Sequence, residues 1–196
     1  MRAYVGRTPS SARDPLVALT LMRDAALGTS SKMRLPTYSP IQTSLRPATP
    51  EDREFLYVVY ASTRQEELAQ SGWAEAEVQA FLREQFRLQD HHYRTCFEGA
   101  EFLVIQTAET PIGRLYLHQR PEALVLVDIA LLPAWRGCGI GERLVRDVLE
   151  RAAGLGLPVE LHVEYFNRAQ ALYRRLGFVA GAVNGPYIQM RWTPPA

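Results

Sequence analysis

Between Leu131 and Glu142 the chain reads Leu-Leu-Pro-Ala-Trp-Arg-Gly-Cys-Gly-Ile-Gly-Glu, and this segment joins an apolar strand to a helix. The strand is predicted to end near Pro133, and the helix is predicted to begin at about Ile140. Glycines between them let the backbone approach a ligand, so that successive N–H groups can point into one concavity. The helix start adds unpaired N–H groups and a partial positive charge. The segment therefore predicts an anion site suited to a pyrophosphate.

Two other kinds of glycine-rich loop fit this segment less well. A P-loop requires Lys followed by Ser or Thr after its last glycine, whereas Gly141 is followed by Glu142 and Arg143. A dinucleotide-binding fingerprint requires Gly-x-Gly-x-x-Gly, and the segment Gly-Cys-Gly-Ile-Gly lacks that spacing. A tight strand-to-helix turn that binds no ligand stays open on the glycine pattern alone.

The segments on either side predict strands and helices in a mixed order. Apolar residues at i, i+3 and i+4 indicate helices, and short β-rich runs between turn residues indicate strands. The helix after Thr49 has a hydroxyl cap, a proline and acidic residues in its first turn. We predict strands at 44–46, 101–107, 112–118, 124–132, 158–163 and 187–192, and helices after 49 and at about 73–93, 140–153 and 168–176. Their order, β-α-α-β-β-β-α-β-α-β, predicts an α/β fold with a mixed sheet.

Residues 1–42 differ from the rest of the chain because they are rich in Ser, Thr, Pro and Arg. This composition predicts a flexible N-terminal extension with at most one short helix, from about Pro15 to Leu27. We expect the folded domain to occupy residues 43–196.

Composition and charge exclude several classes of function. A formal net charge of +1 without a basic stripe gives no case for nucleic-acid binding. No apolar run approaches the roughly 18 residues that would suggest a membrane span. The two cysteines, Cys96 and Cys138, are too few and too far apart for a zinc site or a disulfide framework, so no metal is expected. We expect reduced thiols and a cytoplasmic protein.

Two motifs resemble the signatures of the GNAT N-acetyltransferases. The run from Arg136 to Gly141 is similar to the family's Arg/Gln-x-x-Gly-x-Gly/Ala signature. The run from Asn167 to Phe178 resembles the second signature, in which Asn precedes a helix ending Leu-Tyr-x-x-x-Gly-Phe. The resemblance covers residues 43–192. It implies a mixed, mostly antiparallel central sheet with helices on both faces and a splayed central strand pair.

The resemblance also implies acetyl-CoA as co-substrate. Main-chain N–H groups of the 136–142 loop would hold the pyrophosphate, with Arg136 at its lip, and strand residues 129–131 would pair with the pantetheine arm. Asn167 would bind that arm from the other side, and the N–H of Leu131 would polarise the thioester carbonyl. The implied cofactor-binding residues are Ile129, Ala130, Leu131, Arg136, Gly137, Cys138, Gly139, Ile140, Gly141, Glu142, Asn167 and Tyr173.

Tyr173 is the predicted general acid. When an amine attacks a thioester, the departing thiolate must gain a proton, which a phenol can donate at close range. The alternative is a core tyrosine that packs with Leu172 and Leu176. Cys138 lies at a variable position of the phosphate loop, so no covalent acyl-enzyme is expected.

The general base has two candidates. His162 stands where some relatives have Glu, and it could relay the amine's proton through water, although a lone His among apolar residues is more often a core group. Asp128 lies in an apolar strand and must find a partner, which would be the substrate's ammonium group or a structural arginine. Glu160 and Glu164 are weaker candidates.

The resemblance implies that the first two helices and their connection line the acceptor site. Gln85, Gln89 and His92 share one helix face, which lines a pocket or faces solvent. The predicted activity is acetylation of a primary amine on a small molecule or a peptide, by a monomer or homodimer. The alternative is a non-catalytic acyl-CoA-binding sensor.

Overall fold

A computed structural model describes residues 41–68 and 71–195. The short helix predicted between Pro15 and Leu27 lies outside these residues, as does most of the predicted extension over 1–42. The extension and the domain boundary therefore stay predictions.

Within the described residues, the chain forms seven strands, four α-helices and two short 3-10 turns. The strands are β1 (Ser44–Pro47), β2 (Glu101–Thr107), β3 (Thr110–Gln119), β4 (Leu124–Leu131), β5 (Val159–Glu164), β6 (Val179–Asn184) and β7 (Tyr187–Trp192). The helices are α1 (Arg53–Leu68), α2 (Glu75–Cys96), α3 (Ile140–Gly154) and α4 (Ala169–Arg175), and the 3-10 turns are Pro50–Asp52 and Pro133–Trp135.

The seven strands make one sheet in the order β1-β2-β3-β4-β5-β7-β6. Among the described residues β4 and β5 pair in parallel, and every other pair of neighbours is antiparallel. This arrangement confirms the predicted fold class, an α/β fold with a mixed, mostly antiparallel sheet.

Helices cover both faces of the sheet, as predicted. The larger apolar cluster packs α3 and α4 against one face and includes Leu144, Val148 and Leu172. On the other face α1 and α2 pack together through Tyr60 and Phe86, and α2 meets the sheet through Tyr93. Strand β4 is buried along its whole length because helices lie over both of its faces.

The helix start predicted at Thr49 is confirmed. The Asp52 carboxylate accepts a hydrogen bond from the Thr49 N–H at 2.8 Å and two more from the Arg46 guanidinium at 2.6 and 2.7 Å. Hydrogen bonds from Arg46 lower the pKa of Asp52 to about 2. The start of the first helix is thus tied to strand β1.

Strand β6 is absent from the prediction. Its sequence, Val-Ala-Gly-Ala-Val-Asn, is exposed along its full length and lies at the edge of the sheet beyond β7. With no buried face, the strand leaves no alternating apolar pattern in the sequence. Its pairing with β7 therefore had no local signal.

No helix among the described residues is long and apolar enough to cross a membrane.

Candidate functional site

The sheet opens between β4 and β5. These two strands pair only at Leu124 with Val159 and at Val125 with Glu160, near their N-terminal ends. Beyond that point β5 stays paired with β7 and β4 stays paired with β3, so a slot forms between them. The splayed central strand pair is therefore confirmed.

A β-bulge at Val127 lies in the wall of this slot. Tyr116 is opposite Asp128 and Leu117 is opposite Leu126, which leaves Val127 without a partner on β3. The side chains show the same irregularity, because Leu126 and Ile129 both join the α3–α4 cluster although their positions differ by three, an odd number. The bulge reverses the alternation of β4 from this point on.

The reversal turns main-chain N–H groups of β4 into the slot. Before the bulge, the Leu124 N–H donates to the Pro158 carbonyl, on the β5 side. After it, the Leu132 N–H donates to the Ile112 carbonyl, on the β3 side, although the positions of the two donors differ by eight, an even number. Since N–H groups alternate along a strand, those of Ile129 and Leu131 face the β5 side, where β5 has moved away.

The glycine-rich loop stands at the end of β4. Gly137 and Gly139 have φ of 78° and 77°, in the left-handed region that glycine adopts without strain. Residues 137–139 are exposed, and the first helical bond of α3 runs from the Arg143 N–H to the Gly139 carbonyl at 3.1 Å. The N–H groups of Ile140, Gly141 and Glu142 therefore have no partner within the helix. The exposed glycine-rich turn and the helix start that the sequence predicted are therefore present, and anion binding at them stays a prediction.

Arg136 connects the glycine-rich loop to neighbouring elements. Its Nε donates to the Leu131 carbonyl at 2.8 Å, and its Nη2 donates to Oγ of Ser62 in α1 at 2.8 Å. The guanidinium, predicted at the lip of the site, thus links the loop to β4 and α1. Sequence analysis had no signal for the contact with Ser62.

Further arginines surround the start of α3. Glu142 pairs with Arg146 at 2.8 Å and with Arg175 of α4 at 2.7 Å, and these hydrogen bonds lower the pKa of Glu142. Arg143 donates to Oγ1 of Thr43 at 2.8 Å. The charged groups next to the loop are thus mostly cationic, which suits a phosphorylated ligand.

Tyr173 is fully buried in the cluster that contains Ile129 of β4 and Leu161 of β5, the strands that border the slot. Its hydroxyl has no hydrogen-bond partner among the described residues. Burial raises the pKa of Tyr173 well above its usual value, and the charge of Asp128 raises it further. A buried hydroxyl without a partner is unusual in a pure packing residue, which makes Tyr173 a candidate for contact with a bound ligand.

His162 lies on the opposite face of β5 from Leu161 and is half-buried. Burial lowers the pKa of His162, and the nearby Glu160 partly opposes this effect. The imidazole is therefore mostly neutral at pH 7 and can accept a proton. The two weaker candidates have cationic partners, because Glu160 pairs with Arg191 and Glu164 pairs with Arg64 at 3.2 Å.

Asp128 is completely buried on the α2 side of the sheet. Nη2 of Arg114, from β3, forms an ion pair with its Oδ2 at 2.6 Å, and the same nitrogen donates a hydrogen bond to Oε1 of Gln89 in α2 at 3.0 Å. Burial raises the pKa of Asp128, while the Arg114 charge opposes that shift. Of the partners predicted for Asp128, the structure provides the arginine.

Sequence analysis missed Arg114. The available signal was a charged residue inside an otherwise apolar strand, Gly-Arg-Leu-Tyr-Leu, which requires a buried partner of opposite charge. Gln89 was predicted only as part of a polar stripe with Gln85 and His92. In the structure Gln89 is buried against the sheet while Gln85 and His92 are partly exposed, so the stripe faces inward in part.

Asn167 lies just before α4, and its Oδ1 accepts a hydrogen bond at 2.9 Å from the N–H of Ala169, the first residue of that helix. Gln170 holds the same turn by donating to the carbonyls of Glu164 and Tyr165. Phe166 is 93% exposed on this turn, at the same edge of the sheet as the glycine-rich loop. The loop after β4 and the turn after β5 therefore flank the mouth of the slot, because β4 and β5 run parallel.

A cleft of about 660 Å³ lies between α1, α2 and the end of β4. Its walls are mainly apolar and include Tyr57, Trp73, Leu82 and Pro133. Tyr57 and Trp73 belong to the region where the acceptor site was predicted. Within the described residues no group of three or more His, Cys, Asp or Glu side chains could hold a metal ion.

The family model described as acetyltransferase (GNAT) family matches residues 61–178. No curated protein matches the chain.

Several solved structures share the fold. PaiA N-acetyltransferase from Thermoplasma acidophilum, solved in complex with coenzyme A, is 20% identical, with a TM-score of 0.60 over 78% of this chain and 99% of that chain. An acetyltransferase from Thermus thermophilus is 21% identical, with a TM-score of 0.54 over 79% of this chain and 98% of that one. The ribosomal-protein-S18-alanine N-acetyltransferase from Escherichia coli is 16% identical, with a TM-score of 0.53 over 79% of this chain and 96% of that one. At these identities the likeness shows the fold alone.

Proposed function

Because this chain belongs to the acetyltransferase (GNAT) family, we propose that it is an acetyl-CoA-dependent N-acetyltransferase. The acceptor is a primary amine of a small molecule or a peptide, and the amine attacks the thioester directly. The observation that carries this proposal is the buried Tyr173 hydroxyl, which has no partner among the described residues and lies in the cluster bordering the slot.

The described residues fit coenzyme A. The exposed loop from Gly137 to Gly139 and the first turn of α3 offer N–H groups to a pyrophosphate. The N–H groups of Ile129 and Leu131 face a gap in the sheet, where an extended arm can pair with them as an added strand would. The coenzyme supplies an activated acetyl thioester, and the protein's own groups must place it and move two protons.

Tyr173 is the proposed proton donor. Its raised pKa keeps the phenol protonated at neutral pH. As the carbon–sulfur bond breaks next to Oη, the same apolar surroundings would raise the proton affinity of the departing thiolate, which favours proton transfer from the phenol. The transfer would leave a free thiol and a Tyr173 phenolate, which regains a proton from solvent before the next turnover. The N–H of Leu131 is the proposed donor to the thioester oxygen.

His162 is the proposed general base. It lies on the face of β5 that looks toward α1, where the Arg64–Glu164 pair also lies. Its lowered pKa leaves the imidazole neutral and able to take a proton from the amine directly or through water. We favour His162 over Asp128 because Asp128 is fully buried and already bound to Arg114.

The cleft between α1 and α2 is the proposed acceptor entrance, since its lining offers aromatic and aliphatic surface. We further propose a cytoplasmic enzyme that acts as a monomer or homodimer and needs neither metal, nucleic acid nor membrane.

The test is release of free thiol from acetyl-CoA by the purified protein across a panel of amines. The panel should include amino acids, polyamines and short peptides with free N-termini. Thiol release that depends on one class of amine supports the proposal. Tight binding of coenzyme A without thiol release for any amine would instead identify a non-catalytic sensor.

A further inference from the structure

The Arg114–Asp128 pair lies directly beside the β-bulge. Asp128 follows the unpaired Val127, and Arg114 stands on the neighbouring strand opposite Ala130. Both ionic side chains are at most 1% exposed, with 2.6 Å between Nη2 and Oδ2. Taking two charges out of water is expensive, so such a pair contributes little net stability and is better known for specifying one register over another.

We propose that this ion pair is a register lock for β4. It holds Asp128 on the α2 side of the sheet, keeps Val127 bulged out, and thereby keeps the N–H groups of Ile129 and Leu131 turned into the slot. Arg114 is thus a positioning residue that acts on the cofactor site through the backbone of its neighbour.

The reason for this role is seen by considering β4 as a regular strand without the bulge. Without the bulge, every residue after Val127 would turn to the opposite face of the sheet. Asp128 would then enter the apolar cluster under α3 and α4, where Leu126, Ile129 and Leu131 now lie. A carboxylate in such surroundings without a cation is strongly disfavoured, so the ionic pair excludes the regular register.

Gln89 holds the guanidinium group of Arg114 in position. The same Nη2 that meets Asp128 also donates to Oε1 of Gln89 at 3.0 Å, so α2 holds the guanidinium in position. The aromatic ring of Tyr116 lies 5.4 Å from the guanidinium carbon and closes another side. Arg114 is therefore held by a helix and by its own strand while it holds β4.

The test replaces both charges at once, Arg114→Met together with Asp128→Val. Replacing a buried ion pair by apolar side chains commonly preserves folding, so cooperative unfolding should be retained. In the wild-type chain, nuclear Overhauser contacts should join the main chain of Leu115 to that of Ile129. In the double variant we expect Leu115 to face position 128 instead.

The effect on coenzyme A binding rests on the proposed function. Two main-chain hydrogen bonds to the arm would be lost, so calorimetry should show affinity for coenzyme A about tenfold lower or more. The matched control is Arg46→Met with Asp52→Asn, which removes a 2.6 Å pair at the start of α1 and should leave the affinity unchanged.

A double variant that keeps the Leu115–Ile129 contact overturns the lock, whatever its affinity. If the double variant does not fold, the Gln89→Met variant tests the proposal instead. It keeps both charges but removes the hydrogen bond by which α2 holds the Arg114 guanidinium. The Leu115–Ile129 contact should weaken in that variant, and an unchanged contact would equally refute the proposal. These contacts are read without ligand, so a wild-type chain that binds no coenzyme A would refute the proposed function while leaving the lock to be judged separately.

Discussion

At the scale of single residues, the proposed chemistry depends on two groups that differ in protonation state at neutral pH. Burial raises the pKa of Tyr173 and lowers that of His162. One group therefore keeps its proton at neutral pH and the other remains ready to accept one. Such a division between a proton donor and a proton acceptor is what transfer from an amine to a thiolate requires.

The substitution Tyr173→Phe removes the hydroxyl and keeps the ring that packs on Phe178. We expect kcat to fall about 10²–10⁴-fold, the range for losing a general acid, while the affinity for coenzyme A stays nearly the same. Stopped-flow thiol release and calorimetry measure the two quantities. Tyr165→Phe, at a half-exposed tyrosine, is the matched control. Unchanged turnover in Tyr173→Phe would remove this residue from the mechanism.

The base proposed at His162 gives a pH dependence of defined sign. Activity requires the neutral imidazole, so kcat/KM should fall as the pH drops through the pKa of His162. Because burial lowers that pKa, the fall should occur at more acidic pH than for a free imidazole. His162→Gln should abolish this acidic limb of the profile, whereas His91→Gln, at an exposed position of α2, should retain it. An identical acidic limb in His162→Gln would assign the base elsewhere.

At the scale of elements, the site depends on how β4 ends and α3 begins. Three features of this junction act together: the bulge at Val127, the left-handed glycines of the loop, and the brace from Arg136 to Ser62. The glycines were visible in the sequence because their spacing is local. The bulge and the brace were not, since each depends on a partner from a distant part of the chain.

Gly139→Ala tests the backbone of this junction. At the φ of 77° that Gly139 adopts, a residue with a side chain is strained. The added Cβ would meet no atom within 4 Å, so the strain would be relieved by a change in the loop backbone and not by movement of a neighbouring residue. We expect weaker coenzyme A binding and a loss of about 1–2 kcal/mol in the free energy of unfolding. The control is Gly154→Ala near the end of α3, which also meets no atom within 4 Å but has no positive φ. Equal affinities for the two variants would argue against a role for the loop backbone.

The elements themselves were largely predictable. The strand at Glu101–Thr107 and the closing strand at Tyr187–Trp192 have the predicted bounds, because apolar and β-branched residues mark them. Strand β6 was missed since its residues bury nothing. Arg114 was missed for a related reason, because a buried arginine is identified by its partners, and those lie on α2 and β4.

At the scale of the whole molecule, the sheet is divided by the gap between β4 and β5, and helices cover it on both sides. Helices α3 and α4 and the arginines near them lie on one face of the sheet, and His162 and the cleft between α1 and α2 lie on the other. The order of elements predicted a mixed sheet. The place where it opens came only from the resemblance to a family, because no local pattern records where two strands stop pairing.

The gap and the loop at its mouth together form the proposed coenzyme A site, and a crystal structure with coenzyme A bound tests this site most directly. We expect the pyrophosphate on the N–H groups between Gly137 and Glu142, and the pantetheine arm between β4 and β5 on the N–H groups of Ile129 and Leu131. A ligand bound elsewhere on the protein, with side chains filling the gap, would contradict the account.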